Sequence, residues 1–212
     1  MKVVRNADAF LTYDPMTAGR LVKGGVESSR VFCAPNAIDQ EPIRQARKWW
    51  LDRPDQLAEF QRENQIDPGK TLIFISRIEP DKRLDILIEA MKHVRAVDPT
   101  VTLVVVGDGS SRTLAEALAH RIGVADGVRF VGSIYEENQL AAWCLSSFCF
   151  AYPVAIGLSA MHAFGYGLPV ITSDDISGHN PEIHAIHPGV NGLLYRHGQV
   201  EDFASKLLEL SQ

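Results

Sequence analysis

From residue 70 onward, short and nearly all-apolar runs alternate with longer segments that carry an apolar residue every third or fourth position. Few folds accept that pattern. The apolar runs lie at 72–76, 102–106, 128–131, 147–150, 169–172 and 192–195 and read as strands. The segments at 84–97, 111–122, 136–145, 158–165 and about 181–185 read as helices between them, and a last helix spans 200–210. A strand that is apolar on both faces must be covered on both faces. The alternation therefore predicts an α/β fold, a doubly wound parallel sheet with right-handed crossovers and helices on each side.

The first third of the chain departs from this rhythm. Residues 1–35 read as one βαβ piece, with a strand at 9–13, a helix at 16–23 closed by Gly24-Gly25, and a strand at 30–34 stopped by Pro35. One such unit cannot bury both faces of its strands, so it reads as the edge of something larger. Residues 36–69 are polar, with helical turns, no strand signal and the pair Trp49-Trp50. They read as a connection between domains. The tryptophans are either docked on a neighbour or form a stacking platform for a sugar or base. The expected division is 1–35, 36–69 and 70–212.

Composition excludes several classes of function. A net charge of −5 over 212 residues gives no electrostatic case for nucleic acid. Cys33, Cys144 and Cys149 form no CxxC pair and read as reduced core residues of a cytosolic protein. No apolar run approaches the ~20 residues that span a bilayer, and no signal-peptide pattern is present, which leaves only peripheral membrane contact open. The seven histidines form no HxxxH pair, and no acidic cluster has metal-ligand spacing. His184 and His187 read as surface residues, and no metal is expected.

In a doubly wound, Rossmann-like sheet, ligands sit at the carboxyl ends of the strands. After the strand at 72–76 comes Arg77-Ile78-Glu79-Pro80-Asp81-Lys82-Arg83. Cations that open a helix repel its dipole unless an anion lies between them, and Arg and Lys grip phosphate oxygens well. Local pairing of the cations with Glu79 and Asp81 is the alternative. Gly107-Asp108-Gly109-Ser110 follows the next strand, and its glycines would let the backbone approach a ligand. Gly132-Ser133-Ile134 follows the third and offers backbone groups to the edge of a planar base. After the run at 147–150, Gly157 permits a tight turn and Ser159 is placed to cap a helix that Gly165, Gly167 and Pro169 end. The N–H groups of that helix's first turn are either an anion site or part of an ordinary connection.

Taken together, these pieces resemble the C-terminal, donor-binding half of a GT-B glycosyltransferase, in the large group that includes bacterial retaining glycosyltransferases of family 4. The resemblance is carried by Ala34-Pro35-Asn36-Ala37-Ile38-Asp39, Ser76-Arg77-Ile78 with Lys82, Val106-Gly107-Asp108-Gly109 and Val128-Arg129-Phe130-Val131-Gly132. It continues through Gly157-Leu158-Ser159, Tyr166-Gly167-Leu168-Pro169-Val170-Ile171 and Gly189-Val190-Asn191-Gly192-Leu193-Leu194, in order along the whole chain. It implies that Arg77 and Lys82 hold the donor diphosphate and stabilise charge on it as it leaves. It also implies that Gly157, Leu158 and Ser159 offer N–H groups to the phosphate or sugar, and that the residues around Ser133 and Ile134 frame the nucleobase. The substrate would be a UDP-, GDP- or ADP-sugar, with no cofactor and no metal.

Two departures qualify this. The family's two glutamates, eight positions apart, are replaced by Val154 and His162. Valine cannot bond the donor sugar, whereas an imidazole nitrogen of His162 can bond a ribose hydroxyl. In addition, residues 1–35 match only the last βαβ piece of the acceptor domain, and the helix that usually crosses back at the C-terminus is not reached. A fragment that binds donor without turning it over is therefore expected. The whole enzyme would move a hexosyl group, with retention, to a glycan or lipid-linked acceptor. It would do so in the cytoplasm or at the inner membrane face, with any membrane contact made through the missing domain. The alternative is a catalytically silent nucleotide-sugar-binding or interaction module.

Overall fold

The computed structural model describes residues 7–211. Residues 1–6 and 212, which belong to the first and last of the expected segments, lie outside the described residues. The chain divides into two compact units, one ending at Ala37 and the other beginning at Ile38.

In the first unit, β1 (Phe10–Thr12) and β2 (Val31–Cys33) pair in parallel around α1 (Pro15–Lys23). The helix starts where it does because Asp14 accepts the Thr17 N–H at 2.7 Å and Pro15 occupies the first turn. Cys33 is exposed, which corrects its assignment to the core. Cys144 and Cys149 are buried as expected.

The second unit is built on six parallel strands, β3 (Thr71–Ile75), β4 (Thr102–Val106), β5 (Val128–Gly132), β6 (Cys149–Ala151), β7 (Val170–Ser173) and β8 (Gly192–Tyr195). Their order across the sheet is β5-β4-β3-β6-β7-β8. This is the doubly wound arrangement, and its switch point lies between β3 and β6. Strands β3, β6 and β7 are buried along nearly their whole length, as nearly continuous apolar sequence requires.

The helices that cover the sheet are α4 (Leu84–Val97), α5 (Arg112–Arg121), α6 (Glu137–Leu145), α7 (Ser159–Gly165) and α8 (Val200–Leu210). Helix α4 buries Leu84, Leu87, Ile88, Met91 and Val94, the i, i+3, i+4 stripe of a surface helix. Helix α6 has no such stripe, because Leu140 to Cys144 are all buried. A helix that is apolar all round needs a second cover, which residues 36–69 supply.

That segment, read from sequence as a connection, folds as α2 (Glu41–Leu51) and α3 (Pro54–Glu63) within the second unit, with α2 packed on α6. Trp50 donates its indole N–H to the Asn138 carbonyl at 2.7 Å, and its ring continues into Phe60 and Trp143. Trp50 is therefore docked. Trp49 lies at the surface with the Arg53 guanidinium 4.5 Å above its ring.

Two boundaries shift for local reasons. Strand β6 begins at Cys149 because Ser147, just past the end of α6, is still tied back to that helix, its hydroxyl donating to the Trp143 carbonyl at 2.9 Å. The stretch Pro181–Ala185 forms a 3₁₀ turn.

Candidate functional site at the sheet's carboxyl edge

The loop after β3 carries the cations. Its backbone is sewn to the turn after β4: the Ile78 N–H donates to the Asp108 carbonyl at 2.9 Å, and the Ser111 N–H donates to the Ile78 carbonyl at 2.9 Å. Gly107 and Gly109 make this possible. A Cβ on Gly107, at φ +141°, would stand 1.8 Å from the Ser76 carbonyl oxygen, and one on Gly109 would stand 2.5 Å from that of Ile78. These glycines are required by the approach of their own neighbouring loop, and through it they set where Arg77 stands.

Arg77 is exposed and, among the described residues, makes no ion pair. Lys82 pairs with Asp81 at 2.9 Å, and that contact holds the Asp81 carboxyl below its ordinary value. Glu79 is engaged by Ser110, whose hydroxyl donates to it at 2.5 Å, and the Arg77 charge acts on it only from beyond ion-pair distance. Arg83, at φ +50° before α4, forks onto Asp85. Of the cations in this loop, Arg77 is the one left for an anion.

The loop after β6 stands beside it across the switch point. Tyr152, at its root, lies 3.0 Å from the Ser76 hydroxyl, and the buried Tyr195 hydroxyl donates to the Pro153 carbonyl at 2.9 Å. Val154 is half-buried. Ser159 is the first helical residue of α7, preceded by Leu158 as cap, and no side chain caps the helix. The capping role expected of Ser159 is therefore corrected: Ser159 is already inside the helix, and the cap position ahead of it is held by Leu158, whose side chain has no acceptor.

His162, on the second turn of α7, reaches Glu137 on the first turn of α6, with Nε2 2.9 Å from Oε1. The Tyr166 hydroxyl donates to the same oxygen. Burial alone would raise the Glu137 carboxyl, but the hydrogen bonds from His162 and Tyr166 outweigh it and leave it below its ordinary value. Helix α6 follows directly from the loop of Gly132, Ser133 and Ile134, in which Ser133 is exposed and Ile134 half-buried. The contact therefore ties the third strand-end loop to α7.

The structure thus brings Arg77 and Lys82 to one side of the switch point and Gly157, Leu158 and Ser159 to the other. His162 lies one turn along α7. Gly107 and Gly109 support the first group from behind. Glu137 was missed by sequence reasoning, although an acid in a first helical turn is a signal. His179, which bonds the loop after β6, carried no signal at all. Among the described residues, no group of three or more histidines, cysteines and carboxylates is placed to hold a metal ion. No helix among them is long and apolar enough to cross a membrane.

The family model described as glycosyl transferases group 1 matches residues 69–212. A D-inositol 3-phosphate glycosyltransferase of Segniliparus rotundus is 31% identical over 182 residues, covering 78% of this chain and 40% of that protein. A GDP-mannose-dependent alpha-(1-6)-phosphatidylinositol monomannoside mannosyltransferase of Mycobacterium tuberculosis is 29% identical, covering 74% and 43%. The chain spans about half the length of the curated relatives it matches. Among solved structures, Anabaena Alr3699/HepE in complex with UDP superposes with a TM-score of 0.77 at 19% identity, covering 98% of this chain and 55% of that one. TarM of S. aureus gives 0.73 at 19% identity, covering 98% and 38%.

Proposed function

This chain belongs to the glycosyl transferases group 1 family, with the doubly wound fold of the C-terminal half of a GT-B enzyme, and on that premise we propose that it binds the donor of a nucleotide-sugar-dependent glycosyltransferase. The reaction we assign to the whole enzyme is transfer of a hexosyl group from a UDP-, GDP- or ADP-sugar to a glycan or lipid-linked acceptor, with retention.

The observation that carries this reading is the exposed Arg77 beside Lys82, on the loop that faces the start of α7 across the switch point. Arg77 grips the diphosphate and Lys82 adds a second charge, so negative charge building on the leaving group is met by fixed cations. The turn Gly157-Leu158-Ser159, which leads into α7, supplies backbone N–H groups that the helix leaves without an internal partner. The residues around Ser133 and Ile134 frame the base. His162, backed by Glu137 and Tyr166, offers its remaining ring nitrogen to a ribose hydroxyl. No protein base is required if the leaving phosphate takes the acceptor's proton, and no metal is assigned to the site.

Val154 favours a second reading. At the position from which the family's glutamate reaches the donor sugar stands a half-buried aliphatic side chain, which fits a module that binds nucleotide sugar without transferring it.

Titration calorimetry with UDP, GDP and ADP, followed by the matching sugar nucleotides, tests the donor reading. Selective binding of one nucleotide, lost in the Arg77→Ala/Lys82→Ala double variant, is expected; unchanged affinity in that variant overturns the site assignment. Hydrolysis or transfer by a donor-loaded sample separates the enzyme from the silent module.

A further inference from the structure

The turn from β6 into α7 is held by a residue outside every motif discussed so far. Ala155 in this turn sits at φ +55°, a left-handed conformation that an alanine keeps only when its surroundings enforce it. The enforcement falls on the next residue. The Ile156 N–H donates to Nδ1 of His179 at 3.0 Å, and the Ile156 carbonyl accepts the Asn180 N–H at 3.0 Å. Its side chain is fully buried. With both backbone groups and the side chain engaged, Ile156 cannot turn, and Ala155 before it and Gly157 after it take their conformations from it.

The other side of the imidazole defines its state. Nε2 lies 2.9 Å from the Ser173 carbonyl oxygen and 3.0 Å from the Ser173 hydroxyl. A carbonyl only accepts, so Nε2 carries the proton and Nδ1 is the bare acceptor that the Ile156 N–H needs. The ring is a neutral bridge of one tautomer between the end of β7 and the turn after β6. A second proton, on Nδ1, would set two N–H groups against each other and break the bridge on the Ile156 side.

We propose that His179 is a positioning residue for the sugar-diphosphate end of the donor: it holds the turn so that the N–H groups of Gly157, Leu158 and Ser159 face the ligand, and it releases the turn when Nδ1 is protonated. This rests on the donor reading given above. The titratable groups facing the ring are Asp175, on the same turn, which favours the charged form, and His197, after β8, which opposes it. Burial opposes it most and keeps the ring neutral below the ordinary histidine range.

The test begins without ligand, on wild type, His179→Ala and His179→Asn, whose Oδ1 takes the place of Nδ1. The expected result is an Ile156 amide protection factor about tenfold lower in the alanine variant, as for loss of one hydrogen bond, with the amides of β3 and β4 unchanged. The asparagine variant restores it. On acidification, wild-type Ile156 protection falls as the His179 ¹⁵N resonances titrate, while in His179→Asn it stays flat. Unchanged Ile156 protection in His179→Ala, or equal acceleration of sheet amides in both variants, overturns the proposal.

Calorimetry with UDP, GDP and ADP, and with UDP-glucose and GDP-mannose, then reads the functional half. His179→Ala should weaken the bound sugar nucleotide severalfold, and His179→Asn should recover it. Equal affinities in all three proteins overturn the positioning role. If wild type binds none of these compounds while the exchange pattern holds, the donor reading fails and the positioning role falls with it, whereas the clamp on Ile156 stands.

Discussion

The hydroxyls of Ser76 and Tyr152 lie 3.0 Å apart, one just past the end of β3 and the other just past the end of β6. They close the seam at which the sheet changes direction, where the cation-bearing loop and the loop leading into α7 diverge. Tyr152 is held there by aromatic stacking, with its ring 5.3 Å from Phe74 and 5.8 Å from Phe150. Tyr152→Phe keeps the stack and removes only the hydroxyl, and Ser76→Ala removes the other partner. A double-mutant cycle on urea unfolding should return a coupling of about 0.5–1.5 kcal/mol. A value of zero would show that the two loops are positioned independently.

Gly107→Ala should be severely destabilising. The new Cβ would meet a backbone oxygen at 1.8 Å, which no rotamer relieves, and φ is +141°. A loss of about 3 kcal/mol or more in urea unfolding is expected. Gly123→Ala is the control. Its φ is also positive, at +77°, but nothing stands within 4 Å of the added carbon, so the cost should be about 1–2 kcal/mol of backbone strain alone.

Arg77→Ala should separate binding from folding. Since Arg77 is exposed and makes no ion pair among the described residues, its removal should leave the urea midpoint almost unchanged, within about 0.5 kcal/mol. Affinity for the preferred nucleoside diphosphate should fall about tenfold or more, the scale of a charge-assisted hydrogen bond. The same variant should show a shallower dependence of affinity on salt concentration.

Glu137→Gln should flatten the acid limb of stability. The Glu137 carboxyl is held below its ordinary value of 4.5 in the folded chain, because the hydrogen bonds from His162 and Tyr166 outweigh burial. A carboxyl with a depressed folded pKa contributes stability that is fully present above the unfolded value and is lost as pH falls through the folded one. Thermal melts of wild type and variant should therefore differ most above the ordinary carboxyl range and converge as the pH falls well below it. Parallel curves across that range would remove Glu137 from the account.

Much of the architecture was legible because it rests on local chemistry. The strands at 102–106 and 192–195 and the helices at 84–97 and 200–210 stand where periodicity puts them. Their apolar spacing admits one secondary structure and one buried face. The segment at 36–69 was less legible. Its helices are polar outward, and the purpose of Ile43, Ala46 and Trp50 becomes visible only once α6 is in place to receive them. Ser159 was misjudged as a cap because a serine ahead of an apolar run looks alike at either of two adjacent positions, and only backbone torsions distinguish them.

The amino-acid sequence by itself determined the alternation of strand and helix, the parallel sheet that follows from it, and the strand ends at which a ligand is to be sought. These follow from hydrophobic periodicity and the handedness of crossovers, which act over a few turns of chain. The tertiary structure alone decided that His162 meets a carboxylate 25 residues away and that Ile156 takes its acceptor from a histidine 23 residues away. It also decided that the glycines at 107 and 109 admit the carbonyls of another loop. A directional contact of about 3 Å between residues on different crossovers depends on how those crossovers are placed over the sheet, and no local pattern encodes that placement.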